Sequence, residues 1–381
     1  MSSKVSIGFT GDFCPWLRTE EAILKGNGVS QFESVLDYLN STNYNVIDLE
    51  APATHSITKI EKTGPHLKLI PESLELLKSL NCEIAATANN HFNDYGEKGI
   101  FDTLEKLKSL NIDSIGSGKN ISEASSVLIK ETNGLKLAYI NITESEWSIA
   151  TDFKAGCNPS DPVNIFNQIL ANKPIVDFII VIYHGGNEHY HLPSPRIKNL
   201  FRFFIDSGAH AVVCHHTHVI SGYEVYNGFP IFYGLGNFCF DWENFRNMPW
   251  NYGMILKINF KKEGKIDFDF EIIEQNNLEP GLSLLKGDVK NKKIEEINKL
   301  SQIIMDDQKL EFNFNQYCES KLREMDLWIQ PYTGSLLPRL FIRKFLPSLI
   351  TKSKNQLYTN LIRCESLREV LLYSLLKKIK K

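Results

Sequence analysis

The sequence predicts an α/β fold: a largely parallel sheet covered by helices, with antiparallel additions and a helical C-terminal extension. Three observations predict it. Apolar runs of strand length alternate with stretches of helical spacing, the pattern of strands joined by crossover helices. Two Asn-Gly pairs, Asn133-Gly134 and Asn227-Gly228, sit between apolar runs and signal hairpins. From about Asp288 the pattern is helical only, which divides the chain into residues 1–280 and a basic extension, 281–381.

In chain order, Lys4 to Thr10 reads as a buried strand ending in Gly11-Asp12. Phe32, Val35, Leu36 and Leu39 have helical spacing within Gln31 to Leu39. Tyr44 to Leu49 is a strand ending in Glu50, and Ala51 to Pro71 is a long polar connection carrying Lys59, Lys62 and His66. Such long loops inside compact domains are usually functional. Pro71 to Leu80 opens with proline and keeps Leu74, Leu77 and Leu80 in helical register. Glu83 to Ala88 is a strand running into Asn89-Asn90-His91, and Glu97 to Leu110 is a helix. Ile112 to Ile115 is a short strand closed by Gly116-Ser117-Gly118, which reads either as a phosphate nest or as a plain turn.

Val127 to Ile129 and Leu135 to Ile142 pair around the first Asn-Gly. Asp161 to Leu170 and Pro195 to Asp206 are helical, the second capped by Gly208. Between them Val176 to Tyr183, the most apolar strand, ends in His184-Gly185-Gly186. Ala211 to Cys214 runs into His215-His216-Thr217-His218, and Val219 to Tyr226 pairs with Phe229 to Tyr233. Met254 to Phe260 and Lys265 to Ile273 form a last strand pair.

Composition excludes several classes. The formal net charge is −3, so no bulk polyanion partner is implied, and nothing beyond the basic tail resembles a nucleic-acid signature. No run of about 18 apolar residues would span a membrane. Met1-Ser2-Ser3-Lys4 leads into a strand with no signal-peptide pattern, and the seven scattered cysteines contain no C-x-x-C. The expectation is a cytoplasmic protein with reduced thiols.

In open α/β sheets ligands sit at the carboxyl ends of the strands. Asp12, Glu50, Asn90 with His91, His184, and His216 with His218 each follow an apolar strand at that end. The turn after a strand does not alternate, so His216 and His218 can aim at one point, and two converging imidazoles suit a metal. The whole set of carboxylates, amide and imidazoles suits Mn²⁺, Fe²⁺, Zn²⁺ or Mg²⁺. Six ligands suit two divalent ions about 3.5–4 Å apart better than one ion with an open position.

The ordered motifs Thr10-Gly11-Asp12, Asp48-Leu49-Glu50-Ala51-Pro52, Ala88-Asn89-Asn90-His91 with Asp94-Tyr95-Gly96, Gly116-Ser117-Gly118, His184-Gly185-Gly186-Asn187-Glu188, His215-His216-Thr217-His218 and Tyr233-Gly234-Leu235-Gly236-Asn237-Phe238 carry a resemblance. From Val5 to Phe260 the chain resembles the CapA family of bacterial capsule and poly-γ-glutamate synthesis proteins, itself similar to calcineurin-like metallophosphoesterases. The resemblance implies a metallophosphoesterase-like mixed β-sheet sandwich. It makes Asp12 and His218 ligands of one ion and Asn90, His184 and His216 ligands of the other, with Glu50 as the bridge. It makes His91 a general acid for the leaving group, a task suited to a histidine titrating near neutral pH. Asp94 or Glu188 would orient a histidine or bind substrate; Asp94 also reads as a cap of the helix near Glu97. Three departures stand out: Asp12-Phe13-Cys14 replaces the Asp-x-His of phosphoesterases, the bridging position is Glu, and Cys214 stands where many relatives have glycine. Cys14 reads as a soft ligand or, better, as a buried thiol.

Three functions follow: a dimetal hydrolase of phosphate esters in cell-surface polymer assembly, a metal-dependent enzyme of glutamyl amide or acyl-phosphate chemistry, or a non-catalytic scaffold of a capsule-synthesis complex. The Glu188 region and the long loop, with His189 and His191 nearby, would select a phosphorylated, glutamyl or glycan substrate. Asn237 is expected to satisfy backbone groups near the site, and His55 and His210 to stand apart. Residues 331–381 carry a net charge of +9 by count. Leu336, Leu337, Leu340, Phe341 and Phe345 interleave there with Arg339, Arg343 and Lys344. That pattern reads as a helical cap on the domain or as a helix on the inner face of an anionic membrane.

Overall fold

The computed structural model describes residues 4–329, 336, 345 and 351–379. Strand β1 (Lys4–Cys14) is followed by helices α1 (Arg18–Leu24) and α2 (Glu33–Leu39) and by β2 (Tyr44–Leu49). After the long connection come α3 (Leu76–Ser79), β3 (Cys82–Ala86), α4 (Gly96–Ser109), β4 (Asp113–Ile115), β5 (Ser117–Gly118) and α5 (Ile121–Ala124). Then follow β6 (Leu128–Thr132), β7 (Leu135–Thr143), β8 (Gly156–Cys157), α6 (Pro162–Asn172), β9 (Phe178–His184), α7 (Pro195–Ser207) and β10 (Ala211–His215). The chain continues through β11 (Tyr223–Tyr226), β12 (Phe229–Phe232), β13 (Asn237–Phe240), β14 (Tyr252–Lys261), β15 (Ile266–Gln275) and β16 (Leu282–Leu284). Helices α8 (Gly287–Met305), α9 (Asp307–Ile329), α10 (Lys352–Arg363) and α11 (Glu365–Ile379) follow.

Two sheets stack face to face. One runs β16-β15-β14-β1-β2-β3-β4, with β13 added on β1; the other runs β11-β12-β10-β9-β7-β6. β1 to β4 pair in parallel, as do β7, β9, β10 and β12; the first sheet is antiparallel only on its β14 side, the second at both edges. The apolar run of β9 explains the layering. Phe178, Ile180 and Ile182 enter the core between the sheets, whereas Ile179, Val181 and Tyr183 face the core under α6 and α7. A strand buried on both faces needs a continuous apolar sequence. On the far side Phe13, Ile47, Leu49 and Ala85 pack under α2 and α4. The result is the helix-covered mixed sandwich with a helical C-terminal extension.

Several elements differ from the expectation. β1 does not stop at Thr10 but runs to Cys14, with register shifts around Asp12 against both β2 and β13. Such an irregularity re-aims side chains, and here it falls at the residue that faces the other sheet. β13, a strand parallel to β1, follows the glycine-rich turn and was hidden by it. The expected helix at Pro71 begins as a 3-10 turn, Pro71–Glu75. The sheet also extends past residue 280, because β16 pairs with β15. Ile297 of α8 buries itself in the inter-sheet core.

Helices α10 and α11 dock on α9 through Phe314, Cys318, Leu361 and Val370. Of the apolar–basic stretch read for a membrane surface, Leu336 and Phe345 are exposed, and the remainder lies outside the described residues. Among the described residues no helix is long and apolar enough to cross a membrane.

Close packing leaves no room at Gly11. A Cβ there would lie 2.0 Å from the Gly236 carbonyl oxygen and 3.1 Å from the Phe238 nitrogen, both backbone atoms that cannot swing aside. Gly11→Ala is therefore expected to cost about 2–3 kcal/mol, the upper part of the overpacking range, as measured by urea unfolding. Gly228→Ala, in open space at φ +86°, is the comparison and should lose less.

Candidate metal centre

The parallel centres of both sheets end at one place. β1 delivers Asp12, β2 delivers Asp48 and then Glu50, and the turn after β3 delivers Asn90 and His91. From the other sheet β9 delivers His184, and β10 delivers His215 ahead of His216 and His218. His216 and His218 have left-handed backbones, φ 87° and 57°. Non-glycine residues hold that conformation only where the surroundings enforce it, often at functional sites. One enforcing contact is the His216 N–H, which donates to Asp12 Oδ1 at 3.2 Å and ties the two sheets together.

Among the described residues three groups of potential ligand atoms converge: Asp12, Asp48 and His184; Asp12, Glu50 and His218; and Glu188, His216 and His218. Asp12 is the carboxylate common to two of them. His184 Nδ1 lies 3.2 Å from Asp48, and His184 Nε2 lies 3.1 Å from Asn90 Oδ1. His218 sits 3.1 Å from Asp12 and 3.4 Å from Glu50. Except for Glu188 these carboxyl groups are almost wholly buried.

The buried atoms are short of partners. Both carboxylate oxygens of Asp48 and of Glu50, Oδ2 of Asp12, and Nδ1 of His184, His215 and His216 make no aligned hydrogen bond. The ion-pair distances above are close, but their angles miss hydrogen-bond geometry. An unpaired buried carboxylate is costly unless a cation offsets it. Titration carries the same signal. Burial pushes Glu50 well above the carboxylate range, and Asp12, Asp48 and Glu188 add to the push against His218. Burial opposes the charging of His218, but Glu50 and Asp12 outweigh it and raise the imidazole to about 10. Burial would also raise Asp12, yet His215 and His218 hold it far below its usual value. Oxygen and imidazole donors of this kind fit a divalent transition metal or Mg²⁺.

Beside this cluster lies a second buried group. His91 Nδ1 is 2.8 Å from Asp94 Oδ2, and Asp94 also accepts from Lys62 Nζ and from the Leu67 N–H at 2.7 Å. Asp94 therefore does not cap α4, whose N-cap is Tyr95 without a side-chain bond. Lys62 is no exposed loop charge: its side chain is 3% exposed, with Nζ 3.2 Å from His91 Nδ1. Burial, and next Lys62, depress His91 to about 4 against the opposing pull of Asp94. His91 thus stays neutral at physiological pH, with Nδ1–H given to Asp94. That corrects the expectation of a histidine titrating near neutrality.

The cluster floors a cavity of about 510 Å³. Asn90, His91, Glu188, His189, His216 and His218 line its base. An aromatic wall adjoins it, with Trp250 4.5 Å from the His218 ring and stacked on Phe245 at 4.6 Å. Asn237 Oδ1 pairs with His218 Nδ1 at 3.0 Å, while its amide nitrogen donates to Trp250 O. His191 turns away to Ile220 O, His66 donates to Ile60 O, and His210 accepts from the Ile179 N–H. Lys59 and His55 are exposed. Cys14 is fully buried beside the Phe13 core and belongs to none of the three groups. Ser117 hydrogen-bonds Thr87, and Gly116-Ser117-Gly118 forms part of a small strand pair.

Sequence reasoning gave no role to Asp48, His215 or Glu144, and read Lys62 only as a loop charge that could meet an anionic substrate. Asp48 had a readable signal: a carboxylate two residues before Glu50 inside an apolar strand points to the same face. Lys62 had none, because nothing local marks a loop lysine as buried.

Fold and site together define an α/β sandwich protein with a candidate metal centre at the carboxyl ends of its strands. The description "Bacterial capsule synthesis protein PGA_cap" matches residues 6–242, and the chain belongs to that family. It is 31% identical over 320 residues to the PGA biosynthesis protein CapA of Bacillus subtilis (strain 168), covering 82% of this chain and 83% of that one. It is 30% identical over 250 residues to the capsule biosynthesis protein CapA of Bacillus anthracis, covering 63% and 61%.

The charge balance at His91 is open to measurement. Its pKa is depressed, so between about 4 and 6.5 the unfolded chain binds more protons than the folded one. This site therefore adds stability as pH rises through that window and loses it as pH falls. Replacing Lys62 by Met removes one depressing charge. In metal-free protein the His91 pKa should rise by about one unit or more, while burial keeps it below 6.5. NMR titration of the imidazole C–H signal reads it; an unmoved or lowered value would contradict the arrangement.

Proposed function

We propose that the protein is a metal-dependent hydrolase of phosphate esters acting in the synthesis of a capsule or of poly-γ-glutamate. The observation that carries this reading is the set of buried carboxylate oxygens without hydrogen bonds at Asp12, Asp48 and Glu50, facing His184, His215 and His218. A structural core rarely keeps this many buried carboxylate oxygens without hydrogen bonds unless a cation offsets them. Asp12, Asp48, Glu50, Asn90, His184, His216, His218 and Glu188 would hold two divalent ions, with Asp12 common to both groups of buried carboxylates. Divalent ions there supply an activated water and offset charge on phosphoryl oxygens.

The chain's own groups do the rest. Asp94 fixes the His91 ring and its tautomer, leaving Nε2 as the nitrogen for substrate. Lys62 and burial keep His91 neutral until an anionic ester arrives. The ester's negative charge then raises the imidazole pKa, so that Nε2 takes a proton from water and the protonated ring can hand it to the leaving oxygen. Asn237 fixes the orientation of His218. The aromatic wall excludes water from one side of the cavity. The relatives' names support a place in polymer synthesis, with capsule-synthesis machinery as partner.

The test is metal content of protein purified without chelator, with hydrolysis of an aryl phosphate monoester and diester. Two ions per chain are expected, lost by at least half in His216→Ala and kept in His91→Ala. Both variants should lose roughly 10²-fold or more in kcat, the scale of one acid–base group. Metal bound without hydrolysis of either ester would transfer the reading to glutamyl amide or acyl-phosphate bonds. No metal, even after reloading with Mn²⁺, would leave a scaffold.

A further inference from the structure

The cavity over the candidate metal centre is not built by the sandwich alone. Tyr317 and Lys321 of α9, Asn360 of α10, Cys364, and Leu367 and Val370 of α11 complete its lining. The C-terminal helices thus line the same cavity as Trp242 and Phe245 of the aromatic wall.

These helices are held by directed polar contacts as well as apolar ones. At the centre is Glu144, 2% exposed, which directly follows β7. Its Oε1 accepts from Arg196 at 2.5 Å, from Ser366 Oγ at 2.8 Å and from Tyr183 OH at 3.1 Å. Its Oε2 accepts from the Gly186 N–H at 3.4 Å and from the Cys364 thiol at 3.6 Å. One carboxylate therefore joins β9, the loop carrying Glu188, α7 and the start of α11. Around it, Arg196 Nε reaches Glu369 at 3.0 Å, Ser194 Oγ donates to Glu369, and Glu365 accepts from the Ser145 N–H and hydroxyl. A buried charge with this many partners fixes one docking geometry, because breaking any of them leaves the remainder unsatisfied.

We propose that α10 and α11 form a wall of the substrate site. Leu367 and Val370 would contact the part of the substrate remote from the scissile bond, and Glu144 with Arg196 would position that wall. The class of substrate follows from the lining. Apolar side chains on the roof and aromatic rings on the wall favour a ring-bearing or apolar remote group on the phosphoester. The substrate half of this inference rests on the phosphoester reading; the docking half does not.

Two measurements on the full chain separate the halves. The first is labelling of Cys364 by iodoacetamide, mapped by mass spectrometry. Cys364 is buried, so in the folded protein it should react at least ~10²-fold more slowly than in guanidinium. Arg196→Gln should speed labelling by at least ~10-fold. That variant leaves the Glu144 charge beside the thiol, which disfavours the thiolate, so faster labelling reports undocking rather than activation. Glu369→Gln is the milder second variant and should act in the same direction. Rapid labelling of the unaltered protein, or no change in either variant, overturns the docking.

The second measurement compares kcat/KM for the methyl and phenyl esters of p-nitrophenyl phosphate, which share a leaving group. The unaltered protein should favour the phenyl ester. Leu367→Trp, which fills the cavity, should lower the phenyl-to-methyl ratio by at least ~10-fold, the low end of the scale for a changed apolar contact. A merely structural role would lower both rates and leave the ratio fixed, which overturns the substrate half. Hydrolysis of neither ester by unaltered, metal-loaded protein overturns the phosphoester reading and the substrate half with it, while the labelling still decides the docking.

Discussion

The Asp12 carboxylate is the point on which both sheets close. It ends the parallel core of one sheet and accepts the His216 N–H from the other, with His215 and His218 within 3.4 Å. Two charges about 4 Å apart in a protein of effective dielectric near 20 interact by roughly 4 kcal/mol. Asp48 and Glu50 bring like charge to the same spot. Glu50 and Asp12 favour the protonated form of His218, which offsets part of this charge, and a divalent ion there would do the same with more charge. The irregularity in β1 and the left-handed residues after β10 make sense as the local geometry needed to bring these groups into one small volume.

Much of this was legible in the sequence because periodicity reports burial directly. The run from Phe178 to Tyr183 could only be a strand covered on both faces, and the end of such a strand is where ligands sit. Six of the residues singled out, Asp12, Glu50, Asn90, His184, His216 and His218, fall in or beside the cluster for that reason. What stayed hidden depends on contacts distant in sequence. Lys62 looks like any loop lysine until Asp94 is found beneath it. Glu144 looks like a residue after a strand until Arg196 and Ser366 are seen to enclose it. The pKa of His91 is hidden for the same reason, since its largest causes are burial and a lysine 29 residues earlier.

The C-terminal helices show the limit of composition as a guide. A basic, apolar-striped sequence reads equally as a membrane-surface helix or as a cap with a solvated face, because both bury one stripe and hydrate the other. What distinguishes them is what meets the stripe. The stripe at Leu336 to Phe345 lies almost wholly outside the described residues; α10 and α11 pack on α9 and the rim of the cavity, and the two acids of the tail, Glu365 and Glu369, both point into that contact. The only negative charges of a strongly positive segment are thus the ones used for docking. Among the described basic residues, Lys352 pairs with Glu61 and Lys377 with Glu319 of α9.

That arrangement bears on why the site needs its roof. The candidate metal cluster alone is a dense patch of charge at the edge of a sandwich, and open to water it would be screened and unselective. Helices over the cavity lower the local dielectric there, which would strengthen each interaction with a charged substrate. They also make every unpaired carboxylate oxygen beneath more costly, so roof and cation become mutually dependent: the more complete the roof, the more the cluster requires an ion to offset it. Glu144 stands where these two demands meet. It holds the roof with one oxygen and the backbone of the Glu188-bearing loop with the other, so the same buried charge sets the position of the cavity's wall and of its floor.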